Sequence, residues 1–194
     1  LTMGEVINVL NDLTGGNAII VTDVGQHQMV ACRYAKFNQS KSNITSGGLG
    51  TMGFALPAAI GAKFGAPERA VVAVIGDGGF QMTIQELGTI MQCGIDVKLL
   101  ILNNRFLGMV RQWQQLFHDK RYSFVDIVSP DFVQVAKGYD IAGQCISKRE
   151  ELKNALSAML NHNGSYLLEV MVGKENNVFP MVPQGCSVSE IRLK

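Results

Sequence analysis

Two apolar runs in this sequence stop at residues that can hold a cation. The run "AVVAVI" (70–75) ends in Gly76-Asp77-Gly78-Gly79, and "VKLLIL" (97–102) ends in Asn103-Asn104. A short continuous apolar run bounded by turn residues reads as a buried strand, which places Asp77 and Asn104 at strand tips. One carboxylate and one amide oxygen form a hard-oxygen pair suited to Mg²⁺ or Ca²⁺. They are too few to complete a coordination shell, and Mg²⁺ commonly takes its remaining oxygens from phosphates and water. Gly78 and Gly79 precede a helix, so their N–H groups can face an anion, aided by the helix N-terminus. No Lys stands nearby and G-x-x-x-x-G-K-[ST] is absent, so the metal must carry most of the neutralisation. The plain alternative is a tight turn with Asp77 as a helix cap; the asparagine pair at the matching tip argues against it.

The elements around these tips must bring them together. The segment 80–93 predicts one amphipathic helix, closed by Gly94. Its 14 residues span about 21 Å, close to the roughly 20 Å of a six-residue strand. The chain therefore returns to the bottom of the sheet and climbs back beside its first strand by a right-handed crossover. Elsewhere, helical spacing covers 3–13, and "AIIVTD" (18–23) reads as a strand. Helices are predicted over 25–36 and 50–65, the second with Pro57 inside it and a kink there. The segment 38–48 reads as polar loop. A helix over 107–117 precedes a loop over 118–129. "SPDFVQVAKGY" opens with a cap and a helix-starting proline. A short strand in "YDIAGQCI", a helix over 148–162, a strand over 165–172 and a loop and tail over 173–194 complete the chain. Strands alternating with helices, with mostly continuous apolar strands, predict a single doubly wound α/β domain: a parallel sheet with helices on both faces. Ligands of such sheets bind beyond the carboxyl ends of the strands.

Composition narrows the classes. A hydrophobic share of 47% against 17% charged residues belongs to a folded chain. Net charge is +1 with no basic stripe, so neither nucleic acid nor an anionic membrane is an expected partner. No apolar segment is long enough to span a bilayer, and the N-terminus does not read as a signal peptide. Cys32, Cys93, Cys145 and Cys186 are far apart, with no C-x-x-C, so a zinc site is not expected and a reducing, cytoplasmic setting is. "LTMGEVINVLND" opens inside what reads as a helix and without an initiator Met, which predicts a piece of a longer protein.

"GDG", 24 residues and then "NN" resembles the thiamine diphosphate motif. The similarity extends through "TSGGLGTMGFALPAAIGAKFGAP" (45–67), "GDGGFQMTIQELGTIMQ" (76–92), "LILNNRFLGMVRQWQQLF" (100–117) and "FPMVPQGC" (179–186). Over nearly the whole chain the sequence resembles the acetolactate synthase (acetohydroxyacid synthase) family, in the C-terminal third of the catalytic subunit. The resemblance implies that Asp77 and Asn104 give side-chain oxygens to Mg²⁺ and Phe106 its main-chain carbonyl. It implies that Gly78, Gly79, Gln26 and His27 meet the diphosphate of thiamine diphosphate. Gly50 would accept a hydrogen bond from the aminopyrimidine through its carbonyl, with Thr51 beside it. Met52 would wedge beneath the cofactor and hold its rings bent, and Leu107, Gly108 and Met109 would complete the cofactor's surroundings. Met109, Val110 and Trp113 match the wall of the substrate channel. The departures are modest: many relatives carry Ser or Ala where Gly79 or Gly78 stands, and Trp where Val30 stands.

The implied reaction decarboxylates pyruvate and joins the two-carbon fragment to a second 2-oxo acid, pyruvate or 2-oxobutyrate. It yields 2-acetolactate or 2-aceto-2-hydroxybutyrate for branched-chain amino acid synthesis. The glutamate that activates the cofactor belongs, in the family, to an N-terminal domain of a partner subunit, and no residue here matches it. The FAD-binding middle domain is not represented either. The expectation is a cofactor-anchoring piece of a homodimeric or higher enzyme, catalytically incomplete alone, with room for a regulatory small subunit. Taken without the resemblance, His27 reads as a surface helix residue, Met52 and Met109 as core filler, and Trp113 as cover for a helix face. Two other readings stay open: a different thiamine diphosphate decarboxylase, carboligase or pyruvate oxidase, and a noncatalytic nucleotide-binding module. "GLGTMG" (48–53) fits G-x-G-x-x-G, but polar "KSNITSG" precedes it where a dinucleotide fingerprint needs an apolar strand.

Overall fold

The computed structural model describes residues 1–193. Its sheet holds β1 (Ile19–Thr22), β2 (Asn43–Thr45), β3 (Val71–Gly76), β4 (Lys98–Asn103), β5 (Ala142–Ile146) and β6 (Tyr166–Met171), in the order β2-β1-β3-β4-β6-β5. Every pairing is parallel. All residues of β1 and β4 are buried, as are those of β3 up to Gly76. Strands covered on both faces have no polar side to alternate with, which is why they read as unbroken apolar runs.

Two apolar layers cover the sheet. On one face, α1 (Met3–Thr14), α2 (Gln26–Tyr34) and α8 (Leu152–Asn161) pack on Ile20, Val72, Val74, Leu100, Leu102 and Leu168. On the other, α3 (Ala55–Gly65), α4 (Asp77–Met82), α5 (Leu87–Cys93) and α7 (Phe132–Lys137) pack on Val21, Ala73, Ile75, Leu99, Ile101 and Leu167. This is the doubly wound arrangement that the alternation predicts. Each fully buried Leu or Ile contributes about 1.5–3 kcal/mol. The remaining helix, α6 (Gly108–Phe117), lies beyond the tip of β4. The chain runs from β1 outward to β2 and then crosses back to the other side of β1 for β3, so the winding reverses between β1 and β3. That reversal opens a crevice above the strand tips.

Several expectations need correction. The predicted helix over 50–65 starts only at Ala55, because Gly50 and Gly53 take positive φ (64° and 85°) and form a turn. Pro57 then sits in the first turn, where no intrahelical N–H partner is lost, and no kink is required there. The single helix predicted over 80–93 is α4, a 3₁₀ turn (Ile84–Glu86) and α5. The break falls at Thr83, whose hydroxyl donates to the Gly53 carbonyl at 2.9 Å instead of continuing the helix. Within the predicted loop 38–48, Asn43–Thr45 forms the edge strand β2. Ser129 is not the cap of α7; Asp131 is, accepting from Gln134 N–H at 3.0 Å. In the predicted tail, Val188–Glu190 makes a 3₁₀ turn and Met181 pairs with Arg192. All four cysteines are free and exposed.

Candidate functional site

The crevice at the winding reversal is a cleft of about 430 Å³. The tip of β1 contributes Val24, Gly25, Gln26 and His27; the tip of β3 contributes Gly76–Gly79; the tip of β4 contributes Asn104, Phe106, Leu107, Gly108, Met109 and Val110. Met52 enters from the turn before α3. The structure thus gathers most of the residues singled out by sequence around one cleft. Gly50 and Thr51 lie outside it, exposed on the turn that Ser46 closes by accepting from Gly50 N–H (carbonyl, 2.9 Å) and Thr51 N–H (hydroxyl, 3.1 Å). Trp113 also lies outside, one turn further along α6, against the Phe117 ring at 4.8 Å between centroids.

Asp77 opens α4 and is 1% exposed. Burial pushes its carboxyl up to about 6, although the N–H groups of Asp77, Asn104 and Arg105 and the Ser129 hydroxyl pull the other way. Ser129 Oγ donates to Asp77 Oδ2 at 3.3 Å, and no Lys or Arg pairs with it among the described residues. Asn104, 3% exposed, accepts from Phe106 N–H at 3.1 Å through Oδ1. Phe106 pairs antiparallel with Asp126, through Leu107 N–H to Val125 carbonyl (2.8 Å) and Ile127 N–H to Arg105 carbonyl (3.1 Å). That pairing uses the carbonyl on one side of Phe106 and the N–H on the other, so the carbonyl of Phe106 itself points away from the 125–127 segment.

The donors fit a hard divalent cation. A buried carboxylate lacking a cation, an amide oxygen and an uncommitted backbone carbonyl are the ligand types Mg²⁺ takes, with phosphate oxygens to complete its shell. The glycines let these tips pack closely together, since none leaves room for a side chain. A Cβ on Gly78 would come within 3.0 Å of Leu107 Cδ2 and 3.1 Å of Ile127 Cδ1, and one on Gly79 would overlap Asp23 Oδ2. A Cβ on Gly108 would overlap Gln26 Oε1 and stand 2.9 Å from Asn104 Nδ2.

His27 is 5% exposed and its Nε2 has no partner. Burial lowers its pKa to about 4, so the ring is neutral at pH 7 and can donate or accept but brings no charge. Its ring lies where a Cβ on Gly25 or Gly76 would come within 3.0 Å of Cε1. Gln26 donates through Nε2 to Gln112 Oε1 (2.9 Å) and to the Asn176 carbonyl (3.3 Å). Gln112 in turn exchanges hydrogen bonds with the backbone of Val178, at 2.8 and 3.1 Å. The segment after β6 is thereby fastened over α6, together with the Arg111–Glu175 ion pair at 2.7 Å.

Sequence reasoning missed Asp23, Ser129, Gln112 and the cleft residues Val24 and Gly25. Asp23 was findable, for it ends an apolar run just as Asp77 does. It is fully buried, accepts from Ala55 N–H at 3.3 Å through Oδ1, and leaves Oδ2 without a partner. Burial pushes its carboxyl up, against the N–H groups of Gly53, Ala55, Phe54 and Val24. Asp23 therefore ties the turn carrying Met52 to the tip of β1.

Residues 23–170 match the family model described as thiamine pyrophosphate enzyme, C-terminal TPP binding domain. The chain is 46% identical over 186 residues to the acetolactate synthase isozyme 2 large subunit of Escherichia coli, covering 95% of this chain and 34% of that protein. It is 46% identical over 182 residues to the mitochondrial acetolactate synthase catalytic subunit of Saccharomyces cerevisiae, covering 94% of this chain and 26% of that one. A solved thiamine diphosphate-dependent 4-hydroxybenzoylformate decarboxylase of Rhodococcus jostii superposes with a TM-score of 0.83 at 26% identity, over 90% of this chain and 33% of its own. The chain spans about a quarter to a third of the length of these curated relatives.

Proposed function

Because the chain belongs to the thiamine pyrophosphate enzyme family through its C-terminal cofactor-binding domain, we propose that it anchors thiamine diphosphate, through Mg²⁺, for an acetolactate synthase. The observation that carries this is the convergence of Asp77 and Asn104 beside Gly78 in one cleft at the reversal of the winding. Asp77 and Asn104 give Mg²⁺ their side-chain oxygens and Phe106 its carbonyl. The Gly78 and Gly79 amides, Gln26 and neutral His27 meet the diphosphate. Met52 supports the bent rings, with Gly50 and Thr51 placed to meet the aminopyrimidine and Leu107, Gly108 and Met109 lining the approach. Met109, Val110 and Trp113 face the substrate.

When bound, thiamine diphosphate supplies the electron sink for decarboxylating pyruvate and passing the two-carbon unit to pyruvate or 2-oxobutyrate. This chain's part is binding and orientation: a buried, water-poor cradle in which each hydrogen bond to the cofactor is stronger than in water. The activating glutamate, the FAD site, the homo-oligomeric contact and any regulatory subunit belong to the rest of the assembly. Calorimetry on the chain is expected to show thiamine diphosphate binding with Mg²⁺, none with EDTA, and no heat with NADH. Binding that survives EDTA, or a response to NADH, defeats the reading. Acetolactate formation by the 194-residue chain alone would show that the activating group lies within it.

A further inference from the structure

Arg105 stands between the two proposed metal ligands of the β4 tip and has φ 59°. This left-handed conformation is disfavoured for any residue with a Cβ, and it persists only where surrounding contacts over-determine it. The contacts are on β4 and β6. Arg105 N–H donates to Asn103 Oδ1 at 2.9 Å, and Asn103 Nδ2 donates to Glu169 Oε1 at 2.6 Å. Asn103 is 2% exposed and Glu169 6%. In the register, Asn103 faces Met171 and Ile101 faces Glu169, so the two side chains are diagonal neighbours on one face of the sheet.

A carboxylate inside a parallel sheet is expensive to desolvate. Of its same-face neighbours, Leu99, Ile101 and Leu167 are apolar, Cys145 stands opposite it on β5 with its thiol in hydrogen-bond contact, and no Lys or Arg pairs with Glu169 among the described residues. Packing alone gives no reason for it. Its chemistry does. An ionised carboxylate only accepts, whereas an asparagine amide can face either way. Glu169 therefore turns Nδ2 of Asn103 toward itself and leaves Oδ1 for the Arg105 N–H.

We propose that Glu169 is a positioning residue for the metal: it sets the amide of Asn103, which holds Arg105 in its left-handed turn and so aims Asn104 Oδ1 and the Phe106 carbonyl toward Asp77. This rests on the Mg²⁺ reading above. The first asparagine of the pair is then the support of the second, and the carboxylate on β6 is the support of both.

The test is a donor–acceptor swap, read by the Mg²⁺ concentration that half-saturates thiamine diphosphate binding in calorimetry. Asn103→Asp sets two carboxylates against each other and is expected to raise that concentration by about 10–100-fold. It should also speed amide exchange at Arg105–Leu107 in the ligand-free chain. Combining Asn103→Asp with Glu169→Gln restores the match with the roles exchanged. The amide introduced on β6 donates to one oxygen of the carboxylate introduced on β4, and the other oxygen of that carboxylate accepts from Arg105 N–H. That double variant is expected to bind within about fivefold of the parent, a recovery that general loss of stability would not produce. Parent-like binding by Asn103→Asp, or a double variant that binds no better than the single one, overturns the proposal. If Asn103→Asp does not fold, the double variant decides: folded and binding supports it, unfolded or weak overturns it. A parent chain that fails to bind defeats the Mg²⁺ reading itself; a parent that binds while the variants match it defeats only the positioning role.

Discussion

At the amino edge of the sheet, Lys98 is 4% exposed and three oxygens surround its ammonium: the carbonyls of His162 and Gly164 at 2.8 and 2.6 Å, and Asp96 Oδ1 at 2.6 Å. Two of these contacts are hydrogen bonds to carbonyls and the third is an ion pair, so the charge has partners on every side. At the carboxyl edge, Asp23, Asp77 and His27 are as deeply buried, yet Asp23 Oδ2 and His27 Nε2 have no partner, and Asp77 has no cation beside it, only nearby backbone N–H groups and a long contact to the Ser129 hydroxyl. Burial shifts all three toward their neutral forms. The amino edge also has two atoms without a hydrogen-bond partner, Asp96 Oδ1 and Arg69 Nε, but the first is ion-paired with Lys98 and the Nη2 of Arg69 bonds the Asn17 carbonyl and Ser42 Oγ. A buried charge whose valences are filled is a fastening; one left open is capacity for a ligand.

The contrast is sharpest in a pair of substitutions. Asp77→Ala removes the only carboxylate proposed for Mg²⁺, so calorimetry is expected to show thiamine diphosphate binding fall below detection, while the thermal midpoint of the ligand-free chain does not fall. Lys98→Met should do the reverse. Three oxygens lose their partner, and unfolding in urea is expected to show about 3 kcal/mol of lost stability, with parent-like affinity in the molecules that remain folded. Equal effects of both on binding would erase the distinction between the two edges.

Gly108→Ala probes how tightly the open edge is built. The added methyl would overlap Gln26 Oε1 and crowd Asn104 Nδ2, and Gln26 cannot retreat without breaking its bond to Gln112. A loss of about 2 kcal/mol is expected, together with weaker Mg²⁺-dependent binding. The loss should shrink in a Gln26→Ala background. Additive costs in that double-mutant cycle would mean the two residues do not meet.

The same two edges explain what can be read from the sequence. Fully buried strands leave a local trace, so β3 and β4 are legible together with the polar residues ending them. The convergence of Asp77 and Asn104 follows even from an oversimplified helix between them, because strand pairing, not helix length, sets where the tips lie. β2 has three residues, none of them fully buried, and so carries no apolar pattern. Ser129, Gln112 and Glu169 act on residues 52, 86 and 66 positions away. Polar side chains that find partners only after folding have no sequence period to betray them. The resemblance supplies Met52 and His27, whose types alone suggest core filler and surface.

The smallest expected effect concerns His27 and depends on pH. Its folded pKa of about 4 lies below the ordinary value of 6.5. Between these values the unfolded chain takes up a proton that the folded chain refuses, so stability present above pH 6.5 is lost as pH falls toward 4. By pH 5.5 this amounts to about 1 kcal/mol. Asp77, pushed up to about 6, opposes it over part of the same range, because its folded form holds a proton that the unfolded form gives up. The informative quantity is therefore the difference between parent and His27→Leu, measured by urea unfolding at pH 7 and 5.5 without ligand. The variant is expected to lose about 1 kcal/mol less than the parent on acidification. Parallel pH profiles would mean that His27 is solvated in the folded chain, and that the open edge is less dry than its unpartnered nitrogen implies.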